Sequence, residues 1–148
     1  MIRADHDLRT TLAVGDRGRL TKVLSESDVL SFANASGDRN PVHLDDDYAR
    51  ASIFGGRVVH GILTAGLISA VLGGVLPGLG TIFTELHVKF LKPVYLGQRV
   101  TAEAIVTEII NPKRVRLLVA ARNEAGEDVA LGNAVVVPPK HQQLIGWS

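Results

Sequence analysis

The sequence predicts an α+β fold in which an antiparallel sheet curls around one apolar helix. An uncharged stretch from Gly61 to Gly80, GILTAGLISAVLGGVLPGLG, has the length and composition of a buried helix up to Pro77. Residues 81–92, 99–110, 113–123 and 128–137 are rich in β-branched side chains and partly alternate. Turn residues separate them: Gly97-Gln98, Asn111-Pro112 and Glu124-Ala-Gly126. In the third segment Val115, Leu117, Val119 and Ala121 share one face, whereas Arg114, Arg116 and Arg122 take the other.

The elements before the long helix follow from capping chemistry. Residues 15–24 supply a first strand or an extended arm. Ser25-Glu-Ser-Asp28 is a capping box, so a short helix starts there with Val29, Phe32 and Ala33 inward. Gly37 ends it, and Asn40-Pro41 forces an extended or turn conformation. Asp45, Asp46 and Asp47 read as the acidic start of a second short helix through Ala51. The loop FGGRVVH then leads to Gly61, and the final KHQQLIGWS reads as a tail.

Bulk composition removes several function classes. The 148 residues suit one domain with its own core, and 46% apolar with 21% charged residues argues against disorder. With 16 basic and 15 acidic side chains the net charge is +1, so nothing favours nucleic acid, although a local basic patch can still hold a small anion. There is no cysteine, hence no disulfide, thiolate nucleophile or Cys-ligated metal. MIRADHDLRT lacks the apolar run of a signal peptide, and about 16 residues of apolar helix fall short of a membrane span. A cytoplasmic protein without nucleic-acid or membrane partners is expected. One helix cannot cover two sheet faces and an open edge strand invites pairing, so a homodimer is expected too.

The segments SGDRNPVHLDDDYA (36–49), FGGRVVHG (54–61) and LPGLG (76–80) resemble the MaoC-like dehydratases, specifically the (R)-specific enoyl-CoA hydratases. Their motif runs small-G-D-x-N-P-x-H-x-D-P-x-x-A, and Gly37, Asp38, Asn40, Pro41, His43, Asp45 and Ala49 match it. Asp46 stands where many members carry proline; both suit a first helical turn. The resemblance runs from about Gly15 to Val137, most of a single domain 1–148 with short tails. It implies the hot-dog fold, a long helix wrapped by an antiparallel sheet.

The resemblance also implies a reaction: hydration of a trans-2-enoyl-CoA to the (R)-3-hydroxyacyl-CoA. Water must lose a proton while attacking Cβ, Cα must gain one, and the thioester oxygen must be stabilised as it becomes enolate-like. A histidine and an aspartate can hold one water and shuttle its protons. Similarity assigns those roles to Asp38 and His43, with either one as acid or base, and Asn40 bracing their loop. Gly61, at a helix start and without a side chain, implies an oxyanion-binding N–H. Ser69 falls two turns along that helix, where the family places a serine near the site; a back-bond to its own helix explains it equally. His60 reads as a side chain bonded locally to order the loop rather than a second catalytic imidazole.

Asp45–Asp47 lack a calcium-loop pattern, so no metal is expected, and no cofactor beyond the coenzyme A of the acyl-CoA substrate. Arg57, Lys89, Lys92, Arg99, Lys113 and Arg114 are candidates for its phosphates. Neither GxxxxGK, GxGxxG nor Gly-x-Ser-x-Gly occurs. The competing readings are a dehydratase for acyl-carrier-protein or branched acyl-CoA substrates, a thioesterase and a silent acyl-CoA-binding module. The thioesterase reading lacks a carboxylate between Gly61 and Pro77, and a silent binder has no need of a paired acid and base.

Overall fold

The computed structural model describes residues 12–140, so MIRADHDLRT and all of the final tail except Lys140 lie outside the described residues. Strand β1 (Arg17–Val23) is followed by helices α1 (Glu26–Ser36), α2 (Pro41–Leu44), α3 (Asp46–Ala51) and α4 (Gly61–Gly74). Strands β2 (Ile82–Phe90), β3 (Arg99–Asn111), β4 (Arg114–Arg122) and β5 (Asp128–Val137) complete the chain. They form one antiparallel sheet of five strands in the order β1-β3-β4-β5-β2.

The expected arrangement is present: α4 lies against all five strands, as in the hot-dog fold. Its inner stripe of Leu67, Ile68, Val71 and Leu72 joins the inward faces of β3, β4 and β5 in one core. In β4 the expected parity holds, with Val115, Leu117, Val119 and Ala121 buried. Fully burying a side chain such as Ile68 stabilises the fold by roughly 1.5–3 kcal/mol. The sheet covers only one side of the helix. Ile62 is 59% exposed, and Gly66, Ser69 and Ala70 share that open side.

The ends of α1 follow their capping residues. Ser25 Oγ accepts the Asp28 N–H at 3.2 Å while Asp28 Oδ2 accepts the Ser25 N–H at 3.0 Å. Gly37 closes the helix in the left-handed region, φ 80°, where a side chain is strained. A different constraint acts at Gly132 in β5. A Cβ there lies 1.8 Å from the His87 carbonyl oxygen, so only glycine lets β2 approach. Strand β2 is an outer edge, and Ile82, Leu86 and Phe90 on it are exposed.

Candidate active site

The segment between α1 and α3 is a chain of short-range caps. Ser36 Oγ accepts the Asp38 N–H at 3.0 Å, and Asp38 Oδ1 accepts the Asn40 N–H at 3.2 Å. Asn40 Oδ1 in turn accepts the Val42 N–H at 3.3 Å, which caps α2. Asn40 itself is extended, as a residue before proline prefers, and Pro41 opens the helix at its first position. The extended or turn conformation expected after Asn40 is therefore a single turn of helix, and His43 rides on it. Asp45 ends α2 and caps α3 by accepting the Tyr48 N–H at 2.9 Å.

The segment 57–60 lies alongside this loop and holds it. Val58 N–H donates to Val42 O at 3.2 Å, and His43 Nδ1 lies 2.7 Å from Val58 O. A carbonyl only accepts, so Nδ1 carries the His43 proton and Nε2 keeps its lone pair. His60 is buried, with Nε2 3.0 Å from Asp38 O, and its ring stacks on His43 with centroids 3.9 Å apart and planes at 28°. Phe32 from α1 closes on His60 at 4.7 Å.

A carboxylate oxygen of Asp38 and one ring nitrogen from each of His43 and His60 lie within 4.8 Å of one another. That set is a possible metal cage by composition, but its geometry suits a cation poorly. Lone pairs lie in the plane of an imidazole, so two rings stacked face to face do not aim them at one point. A carboxylate beside an imidazole with an open lone pair is instead equipped to exchange protons with a small molecule.

A cavity of about 400 Å³ opens beside this pair, lined by Asn40, His43, Val58, Gly61, Thr64, Phe90, Lys92 and their neighbours. Gly61 is the first residue of α4, and among the described residues no group accepts its N–H. The positive end of a helix therefore borders the cavity. A Cβ on Gly61 would sit 3.1 Å from the Phe90 ring, so glycine keeps this wall open.

The sequence-derived candidates separate here. Asn40, His43 and Gly61 line the cavity; Asp38 is exposed and outside that lining, its carboxylate within 4.8 Å of ring nitrogens of His43 and His60. Ser69 lies on the exposed side of α4, outside the lining, and the buried Thr64 supplies the hydroxyl on the cavity side. Arg57 is not a free cation for phosphates. Its side chain is 9% exposed, Nε donates to His43 O at 2.8 Å, and Nη1 pairs with Glu26 at 2.7 Å. Of the other cations singled out, Lys92 lines the cavity and pairs with Glu127. That contact, with help from Asn123, holds the Glu127 carboxyl below its ordinary value. Phe90 and Thr64 were not proposed as site residues. Thr64 falls three residues after Gly61, a spacing that places both on one helix face; nothing local marks Phe90.

The chain is similar to several known proteins. The MaoC like domain family matches residues 8–128. The chain is 44% identical over 133 residues to 3-hydroxybutyryl-CoA dehydratase of Methylorubrum extorquens, covering 89% of this chain and 84% of that protein. It is 42% identical over 125 residues to the (R)-specific enoyl-CoA hydratase of Rhodospirillum rubrum, covering 84% and 87%. Among solved structures, the R-hydratase PhaJ1 of Pseudomonas aeruginosa superposes with a TM-score of 0.87 at 38% identity, covering 95% of this chain and 92% of that one. The (R)-hydratase of A. caviae involved in PHA biosynthesis gives 0.84 at 38%, covering 87% and 98%.

Proposed function

The chain belongs to the MaoC-like domain family, and from that premise we propose that it works as an (R)-specific enoyl-CoA hydratase with Asp38 and His43 as its proton-transfer pair. The observation that carries the pair is the His43 Nδ1 contact with Val58 O, which leaves Nε2 free to take a proton in a ring that has one nitrogen within 4.8 Å of an Asp38 carboxylate oxygen.

The trans-2-enoyl thioester occupies the cavity with its carbonyl oxygen on the Gly61 N–H. Water sits between Asp38 and His43. As its oxygen bonds to Cβ, His43 Nε2 accepts its proton, and the alkene electron pair moves toward the carbonyl to give an enolate. The Gly61 N–H and the helix dipole stabilise the oxyanion. The Asp38 carboxylate orients the water and balances the imidazolium, which then returns the proton to Cα. Run backwards, the same steps dehydrate a 3-hydroxyacyl thioester. Asn40 holds the loop through its cap, and no metal or redox step is required.

A homodimer completes the site in this reading. The exposed edge of β2 and the open side of α4, where Ser69 lies, offer it a surface to cover. The chain acts as one domain with its core at about 15–137. No helix of the described residues is long and apolar enough to cross a membrane; a cytoplasmic setting and an acyl-CoA substrate fit the reading. Asp38→Asn and His43→Gln, made separately, should each lower crotonyl-CoA hydration by ~10²–10⁴-fold with the melting temperature retained. Near-normal turnover by either folded variant rules out the pair.

A further inference from the structure

We propose that Arg57 and His60 are positioning residues that hold the two members of the proton-transfer pair by their own backbone carbonyls. The inference rests on the assignment of Asp38 and His43 above. His60 Nε2–H donates to Asp38 O at 3.0 Å, and Arg57 Nε–H donates to His43 O at 2.8 Å. Between them Val58 adds a backbone bond to Val42 and accepts the His43 Nδ1 proton. Three residues of the segment 57–60, namely Arg57, Val58 and His60, thus grip the loop 38–43, at Asp38 on one end and at Val42 and His43 on the other.

The grip has a firm base on its other side. Val59 N–H donates to Val94 O at 2.7 Å, and Val58 bridges to Tyr95, tying the segment to the chain that leaves β2. Arg57 is further pinned to Glu26 at the start of α1 and lies 3.8 Å from Asp46 in α3. His60 is wedged between Phe32 and the His43 ring. Neither Arg57 nor His60 lines the cavity, and the side-chain hydrogen bonds that each makes to the loop end on the backbone carbonyls of His43 and Asp38.

A second observation marks the same two residues. Among the described residues, the buried side-chain nitrogens or oxygens without a hydrogen-bond partner are Arg57 Nη2 and His60 Nδ1. Leaving a buried polar atom unpaired costs stability, and an apolar side chain in either place avoids that cost. A fold that keeps both groups uses them for something packing alone does not supply. The bonds on Asp38 O and His43 O are that use. They set the distance between a carboxylate and a ring whose alignment governs proton transfer, where a displacement of about 1 Å costs on the order of 10²-fold in rate.

The test compares hydration of crotonyl-CoA by the full chain and its His60→Phe, His60→Gln and Arg57→Met variants, each with its thermal melt. His60→Phe keeps a ring over His43 but loses the donor, and Arg57→Met keeps the stem but loses the guanidinium. Both should lower kcat by ~10–100-fold while KM stays within about threefold. His60→Gln, whose amide can donate to Asp38 O, should recover kcat to within about fivefold of the parent. Normal kcat per folded molecule for both His60→Phe and Arg57→Met, with only the melting temperature lowered, overturns the proposal. So does a His60→Gln variant as inactive as Asp38→Asn, because His60 then handles the proton itself. Should His60→Phe fail to fold, Arg57→Met at the other end of the loop decides. Full activity of Asp38→Asn in the same assay defeats the assignment of the pair, a result separate from either outcome for the clamp.

Discussion

Replacing Gly61 by alanine separates catalysis from folding at the mouth of the cavity. The new methyl meets Cδ1 and Cε1 of Phe90 at 3.1 Å and Cζ at 3.2 Å, so the ring must yield by a few tenths of an ångström. It can, because Phe90 ends β2 and is 48% exposed. Alanine also removes glycine's entropic cost in a helix, a gain of about 0.5–1 kcal/mol that offsets the shifted ring. The net change in stability should stay within about 1 kcal/mol, a few degrees in melting temperature. Activity responds differently. An oxyanion must come within roughly 2.7–3.1 Å of its donor, and the methyl with the displaced ring stands beside that approach. A shift of about half to one ångström in the thioester lowers kcat/KM by ~10–100-fold, or ~1.4–2.7 kcal/mol of barrier. Loss of enoyl absorbance from crotonyl-CoA measures this directly, and adding Phe90→Leu should restore part of the rate. A folded Gly61→Ala protein with unchanged kcat/KM refutes the role given to this N–H.

Two further substitutions test the scaffold. Gly132→Ala places a Cβ 1.8 Å from a backbone oxygen of β2, which cannot rotate away, so urea unfolding should show a loss of at least ~2 kcal/mol. A wild-type midpoint contradicts that contact. In α1, the Ser25 backbone N–H, then Lys22, holds the Asp28 carboxyl below its ordinary value of 3.8. A carboxyl depressed in the folded state stabilises fully above its unfolded value, and that stabilisation fades as pH falls through the folded one. Asp28→Asn should therefore cost ~0.5–1.5 kcal/mol at neutral pH, and the gap to the parent should narrow as the pH falls below the ordinary carboxyl value of 3.8. A gap that persists at low pH assigns the loss to something other than the charge.

Local chemistry was legible in the sequence wherever one or two neighbouring residues settle it. The capping box at Ser25 and Asp28, the left-handed Gly37, the start of α4 at Gly61 and the parity of β4 are all of this kind. The helical turn carrying His43 was missed because Asn40-Pro41 satisfies two rules at once, an extended residue before proline and proline opening a helix. What escaped most fully spans distance in the chain. His60 reaches Asp38 across 22 residues and Arg57 reaches His43 across 14, and neither contact leaves a periodic trace. Arg57 reads from the sequence as a candidate for coenzyme A phosphates because composition does not distinguish a buried strut from a free charge. Phe90 enters the cavity wall only once β2 has paired with β5, about forty residues later in the chain. Ser69 shows the limit of reading one helix face by spacing. Eight residues advance it by nearly a quarter turn from Gly61, enough to leave the cavity for the open side.

The most direct measurement of the central claim is the configuration of the product formed from crotonyl-CoA by the purified chain. Water delivered from one fixed pair, Asp38 and His43, to one face of the bound alkene gives a single enantiomer, and the account expects (R)-3-hydroxybutyryl-CoA alone. An (S) or racemic product, or no turnover of this or longer enoyl-CoA thioesters, contradicts it.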